Sequence, residues 1–181
     1  SKVLAALLYR FNSVSFDDAY KFISGLDKEG KKALTAILLG NLDQHDIPAR
    51  ELEYAHIAFD LILDQGAYFE LKRHRMMTQT PQPFTPHLGY ATPRLLVDAG
   101  AGQVFSDAMN QACAAYEKIH LTSPEAAAYI LPNAFNRRVL LSMNLRSARH
   151  LINLRCATNA HFAIRRPSQR MAAIVREKYP L

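Results

Sequence analysis

Residues 144–155 read Asn-Leu-Arg-Ser-Ala-Arg-His-Leu-Ile-Asn-Leu-Arg, and the rest of the chain is organised around them. The run before it, residues 135–143, is largely apolar and predicts a buried strand or the start of a helix. From Ser147 onward the spacing is that of an amphipathic helix. One line of this helix is apolar except for its last member: Ala148, Leu151, Ile152 and Arg155. A second line is polar: Arg146, His150 and Asn153.

The predicted helix contains no acidic residue, although surface helices commonly pair Glu with Arg four positions away. Its charged and titratable side chains are Arg146, Arg149, His150 and Arg155. Two interpretations follow: the helix lies against an acidic protein surface, or it binds an anion. Arginine holds a carboxylate or phosphate through two parallel hydrogen bonds, so the second interpretation is chemically sound.

Length and composition indicate a globular protein. The 181 residues predict a single domain, either complete or one part of a longer or tandem protein. No apolar stretch is long enough for a membrane-spanning helix, and the N-terminus lacks a signal-peptide pattern. Cys113 and Cys156 lie far apart and predict reduced, buried thiols. We therefore expect a cytoplasmic protein with no membrane partner.

Charge is distributed unevenly along the chain. Residues 1–125 hold twelve basic and fifteen acidic residues, whereas residues 126–181 hold ten basic and one acidic. A basic end of this kind suits nucleic acid, a phosphorylated small molecule or an acidic partner. Single-strand binders interleave aromatic and basic residues, and this end holds only four aromatic residues. A nucleic-acid partner is therefore disfavoured.

Helical spacing and capping residues predict most of the remaining elements. An apolar segment at 3–9 is compatible with helix or strand, and alternation predicts a half-buried strand over 53–63. Four prolines make residues 76–93 an ordered loop or an exposed excursion. Helices are predicted at 16–26, 65–72, 94–97 and 102–120, and Asp64 caps the second of these. A further helix is capped by Asp27 and runs to 42, and a short one starts at Ser123-Pro124. The last predicted helix, 158–179, is kinked or restarts at Pro167.

Standard chemical motifs are absent. The sequence contains no zinc-binding spacing, no glycine-rich phosphate loop with its lysine, and no nucleophile elbow. We therefore predict no metal site, and the catalytic residues stay unknown.

Two stretches, taken in order, carry a resemblance. Arg73-His74-Arg75 follows a predicted short helix that itself follows the alternating strand, and Asn144-x-Arg146-x-x-x-His150 comes later. This ordered pattern resembles the flavin-dependent thymidylate synthase family, also called thymidylate synthase complementing proteins. Further similar segments lie at 5–9, 45–54 and 159–165, so the resemblance covers nearly the whole chain.

The resemblance implies an α+β fold, with a long antiparallel sheet flanked by helices. It implies a homo-oligomer (dimer or tetramer), or pairing with a second family domain, with sites formed where subunits meet. It also implies FAD as cofactor, with NADPH and methylenetetrahydrofolate as co-substrates in converting dUMP to dTMP. Carried over by position, the FAD-binding residues are Arg73, His74, Arg75, Asn144, Arg146, His150, Glu53 and His45.

The nucleotide side departs from the family pattern. The family's Ser, seven residues after the Arg-His-Arg, is Pro83 here, and its Asn-Glu and Arg-Tyr pairs are Thr80-Pro81 and Thr85-Pro86. A family Gln is Glu70, and a family Arg is Ala128. By resemblance, Arg155 is the one clear dUMP-binding residue that is left.

Four interpretations of function stay open. The chain is a true thymidylate synthase that binds dUMP through other residues, or a flavin protein with another substrate. Alternatively, it is a degenerate, structural homologue whose partner half supplies the missing groups. The fourth interpretation, a basic nucleic-acid-binding protein, belongs to a different class. Whether the chain is an enzyme is thus left undecided by its sequence.

Overall fold

The structure is a computed structural model that describes residues 1–40 and 46–179. The chain forms two compact units. The first unit comprises Ser1–Ala58, Ser142–Ala157 and the segment from Ser168 onward. The second unit comprises Phe59–Leu141 and Thr158–Pro167.

Three helices begin the first unit: α1 (Lys2–Phe11), α2 (Phe16–Gly25) and α3 (Lys28–Leu39). The apolar segment at 3–9 is thus helical. The Asp27 cap is confirmed, since its carboxylate accepts a hydrogen bond from the backbone N–H of Gly30 at 2.7 Å. Ser15 caps α2 in the same way through Asp18. The helices bury one small core, made of Leu4, Ala5, Leu7, Ala19 and Ile23.

Among the residues that the structure describes, three antiparallel strands form a sheet in the order β1-β3-β2, so the expected α+β class is confirmed. They are β1 (His56–Asp64), β2 (Thr78–Pro81) and β3 (Asn136–Asn144). The expectation of a long sheet is wrong. The strand β2 spans only four residues, and it lies in a segment where Pro81 and Pro83 have no N–H to donate to a strand ladder.

The predicted strand over 53–63 begins later than expected. Residues Arg50–Tyr54 form a 3-10 turn, in which the N–H of Ala55 bonds the carbonyl of Leu52 at 3.4 Å. From His56 onward the alternation holds, because Phe59 and Leu63 are buried whereas the residues that face the other way are exposed, namely His56, Ala58, Asp60 and Ile62.

The second unit holds α4 (Gln65–Leu71), α5 (Arg94–Asp98), α6 (Gly102–His120) and α7 (Pro124–Ala127). Asp64 caps α4 as predicted, accepting from the N–H of Ala67 at 2.8 Å. The bounds of α6 match the prediction. A second core forms under α6 from Met109, Tyr116, Ala127, Leu131 and Phe135.

The proline-rich segment 76–93 packs against the sheet, which favours the predicted ordered loop over an exposed excursion. It contains β2 and a 3-10 turn at Pro86–Leu88. The N–H of Gln82 bonds the carbonyl of Arg138 at 2.9 Å, and Tyr90 bridges to Phe135. These bonds tie the segment to β3.

The last two helices are α8 (Leu145–Arg155) and α9 (Phe162–Lys178). The apolar run before α8 was predicted to be either a buried strand or the start of a helix, and it forms strand β3. The helix α9 starts later than predicted and runs through Pro167 without restarting at Ser168. Within residues 1–40 and 46–179, no helix combines the length and apolarity needed to cross a membrane.

Candidate functional site

The start of α8 is positioned by the junction of strand and helix. The side chain of Asn144 accepts a hydrogen bond from the N–H of Ser147 at 2.8 Å and so caps the helix. The N–H of Leu145 bonds the carbonyl of Ala55 at 2.9 Å. This pairing brings the first turn of α8 beside the end of the 3-10 turn Arg50–Tyr54.

The same pairing places one carboxylate between two guanidinium groups. Arg146 Nη1 donates to Glu53 Oε1 at 2.9 Å, and Arg50 Nε lies 3.8 Å from the same oxygen. The side chains of Arg146 and Glu53 are 34% and 35% exposed, so their pair is partly screened by water. One carboxylate with two arginines leaves this cluster with a net positive charge.

The Arg146 guanidinium is not fully paired. Within the part of the chain that the structure describes, its Nε is buried and has no hydrogen-bond partner. A buried donor left unpaired costs about 1–3 kcal/mol. An acidic protein group thus contacts Arg146, as the first interpretation of α8 predicted, and the buried Nε of the same guanidinium is left without an acceptor.

The two remaining predicted residues of α8 lie farther along the helix. His150 is exposed, and Arg155 is half-buried at the last helical position. A cation in the last turn complements the negative end of the helix dipole. Arg155 therefore has a local structural role in addition to the nucleotide contact that the resemblance implies.

The Arg-His-Arg stretch belongs to the second unit and follows α4. Arg73 Nη2 lies 3.3 Å from Glu70 Oε1, the acid that stands where the family has Gln. His74 is half-buried, and its carbonyl accepts a hydrogen bond from Gln79 Nε2 at 3.0 Å. Arg75 is exposed. The remaining predicted FAD residue, His45, lies outside the described residues.

Sequence reasoning missed two arginines. Arg50 had a usable signal, since it precedes Glu53 by three positions in a helical turn. Arg137 had none: its guanidinium donates to Gln65 Oε1 at 2.9 Å and to the carbonyl of Gln82 at 2.8 Å. Burial lowers the pKa of Arg137, although a guanidinium stays charged at neutral pH.

Arg137 also packs against aromatic rings. Its guanidinium carbon lies 4.7 Å from the centre of the Tyr68 ring and 5.5 Å from that of Phe84. These contacts and its hydrogen bond to Gln82 join β3 to the proline-rich segment. Arg137 is therefore a structural residue of the second unit, and it stabilises the segment that replaces the family's nucleotide motif.

An open cavity of about 450 Å³ lies between α8 and α9 in the first unit. Its lining includes Cys156 and Arg176. Burial raises the pKa of the Cys156 thiol, and the nearby charge of Arg176 offsets this only in part. The thiol is therefore protonated at neutral pH and is not an activated nucleophile. Among the described residues, no group of three His, Cys, Asp or Glu side chains is placed to hold a metal ion.

Comparison with known proteins agrees with the resemblance that the sequence carries. Residues 3–181 match the model of the thymidylate synthase complementing protein family. The chain therefore belongs to this family.

Individual relatives differ in length and name. A UPF0159 protein of Chlamydia muridarum is 33% identical over 99% of this chain, which covers 34% of that relative. A UPF0159 protein of Thermoplasma acidophilum is 28% identical, again over 99% of this chain and 36% of the relative. A flavin-dependent thymidylate synthase of Geobacter sulfurreducens is 31% identical over 71% of this chain and 60% of its own length. The chain thus spans about a third of the first two relatives.

Proposed function

We propose that this chain is a flavin-binding member of its family in which the surface at the start of α8 holds FAD. The observation that carries the proposal is the Arg146 guanidinium, which by resemblance stands at a family FAD position, belongs to a side chain that is 34% exposed, and has an unpaired Nε. The positive charge shared by Arg50, Glu53 and Arg146 suits a pyrophosphate. FAD would supply hydride-transfer chemistry when bound.

The family name and one relative support this proposal. The Geobacter sulfurreducens relative is named for flavin dependence and thymidylate synthesis. By resemblance, the family reaction methylates dUMP to dTMP with methylenetetrahydrofolate and NADPH. We propose that this reaction is impaired in the present chain alone, because Pro83 and Ala128 replace a hydroxyl and a guanidinium of the family pattern. The roles of Arg73, His74, Arg75, His150 and Arg155 stay proposals on the same basis.

A second candidate function is that of a structural or partner half, whose missing nucleotide contacts come from another family domain. The favouring observation is the proline-rich segment, whose Gln82 and Tyr90 are bonded to β3. Addition of an intact family domain separates the two functions, because only a partner half would gain dUMP-dependent activity in the mixture.

The first prediction concerns FAD. The Arg146→Ala substitution is expected to weaken FAD binding about 10- to 150-fold, the scale of one charge-assisted hydrogen bond. Titration of apoprotein with FAD, followed by flavin fluorescence, measures the dissociation constant. Arg170→Ala is a matched control, because it removes the same charge from an exposed position on α9 and should leave binding unchanged. Wild-type protein that fails to bind FAD at hundred-micromolar concentration would refute the flavin proposal.

The second prediction concerns assembly. Large apolar side chains of the second unit are strongly exposed, among them Leu95 at 76%, Leu121 at 86% and Tyr129 at 92%. Exposed apolar surface favours association, and the resemblance implies sites formed where subunits meet. We expect light scattering at micromolar concentration to give a mass two or four times that of one chain. A monomer under these conditions contradicts the assembly and the shared site together.

A further inference from the structure

Three aromatic rings of the first unit form a row beside the proposed FAD site. The rings of Phe16 and Tyr20 are stacked with their centres 6.2 Å apart and an angle of 25° between their planes. Phe16 also stacks with Tyr54, with the ring centres 6.4 Å apart and an angle of 26° between the planes. These separations lie in the range of favourable aromatic pairs. The row therefore runs from α2 to the 3-10 turn Arg50–Tyr54.

The row is open to solvent at the end that adjoins the charged cluster. Tyr54 is 59% exposed, compared with 37% for Phe16 and 38% for Tyr20. Tyr54 directly follows Glu53, which holds the Arg146 and Arg50 guanidinium groups. The exposed ring of Tyr54 and the Arg50 guanidinium thus belong to one 3-10 turn. The Arg146 guanidinium comes from the start of α8, which is hydrogen-bonded to the residue after that turn.

This juxtaposition matches the chemistry of a nucleotide. Flat heteroaromatic rings stack on exposed aromatic side chains, and phosphate oxygens accept hydrogen bonds from guanidinium groups. No local pattern predicted this surface, because the basic end of the chain carries few aromatic residues and the row comes from residues 16, 20 and 54. The fold supplies the aromatic partner that the basic end lacks.

We propose that Tyr54, backed by Phe16 and Tyr20, is the stacking face for one flat ring of a nucleotide whose phosphate lies on Arg50 and Arg146. The proposal rests on the proposed FAD site and adds to it the surface that binds a ring of the cofactor. The ring is either the isoalloxazine or the adenine of the dinucleotide, since both have the same flat, polarisable faces. Stacking of this kind tolerates replacement of one aromatic residue by another but not by an aliphatic residue.

The third prediction tests this surface with Tyr54→Leu and Tyr54→Phe in the full chain. Tyr54→Leu is expected to weaken FAD about 5- to 150-fold, and Tyr54→Phe is expected to bind within about twofold of wild type. Because Tyr54 is largely exposed, both variants should fold, which circular dichroism checks. Tyr9→Leu is the control, since it makes the same change at a side chain of α1 that is 54% exposed.

Competition by FMN and by ADP identifies the ring. If FMN displaces FAD and Tyr54→Leu weakens FMN, the isoalloxazine stacks on Tyr54. If ADP shows this behaviour instead, the adenine does. Unchanged FAD affinity in Tyr54→Leu, together with weakened affinity in Arg146→Ala, overturns the stacking proposal and leaves the FAD proposal intact. If wild type binds no FAD, ADP binding that Tyr54→Leu abolishes still supports the nucleotide surface, whereas absence of both overturns it.

Discussion

No tritium release is expected when this chain alone is incubated with 5-tritiated dUMP, FAD, NADPH and methylenetetrahydrofolate, and no dUMP binding is expected at millimolar concentration. By resemblance, Pro83 and Ala128 replace groups that contact the nucleotide, and Thr85 replaces a second arginine. Each lost charge-assisted bond costs about 1.5–3 kcal/mol, so three losses weaken dUMP by about three to six orders of magnitude.

The structure adds a reason why the proline-rich segment cannot easily substitute other contacts. Gln82 is bonded to β3 through its N–H and to Arg137 through its carbonyl. Asn136 holds the far end, because its N–H bonds the carbonyl of Gly89 at 2.8 Å and its side chain donates to the carbonyl of Leu88 at 3.0 Å. Rearranging the segment to reach a ligand would break these bonds.

The measurement needs a positive control, and the Geobacter sulfurreducens flavin-dependent thymidylate synthase serves as one. Micromolar dUMP affinity by calorimetry would show that the positional matching of residues 76–93 to the family motif is wrong. Activity that appears only when an intact family domain is added would instead select the partner-half function.

A second large effect is expected for Phe135→Ala, which should lower the free energy of unfolding by about 3–5 kcal/mol. The Phe135 side chain is 2% exposed, and its ring meets that of Tyr90 edge-on at 5.6 Å. It also lies in the core beneath α6 with Met109 and Tyr116. Removing the ring leaves a cavity that the surrounding helices fill only in part, and a domain of this size has only about 5–15 kcal/mol in total.

Urea unfolding followed by circular dichroism measures this loss. Phe22→Ala is a suitable control, because it deletes the same ring at a side chain that is 57% exposed and should change stability by less than about 0.5 kcal/mol. A change below 1 kcal/mol for Phe135→Ala would mean that this core does not contribute to the cooperative unfolding transition.

Local chemistry made most of the helices predictable. The caps at Asp27 and Asp64 act over three residues, and the structure shows both of them. Apolar spacing likewise predicted α6 and the buried face of α8, because helical periodicity is a property of neighbouring residues. The start of β1 was missed because a tight turn and a strand begin with the same apolar and polar residue types.

The size of the sheet was not predictable in this way. The long sheet was an expectation from resemblance, and β2 is short in a segment where Pro81 and Pro83 have no N–H to donate to a ladder. The prolines are visible in the sequence, but the sequence does not show which of them lies beside β3. Pairing between strands depends on residues far apart in the chain.

The family resemblance, the order of its motifs and the helix caps are readable from the amino-acid sequence alone, because each depends on residues close together in the chain. The tertiary structure alone decided which charged groups meet. Arg146 and Glu53 are 93 positions apart, and Arg137 and Gln65 are 72 apart, so no local pattern relates them. They meet because β1 and β3 pair antiparallel, with Leu145 bonded to Ala55 and Gln65 to Phe135. That register brings the Glu53 carboxylate to Arg146, because backbone hydrogen bonds fix the alignment to within one residue.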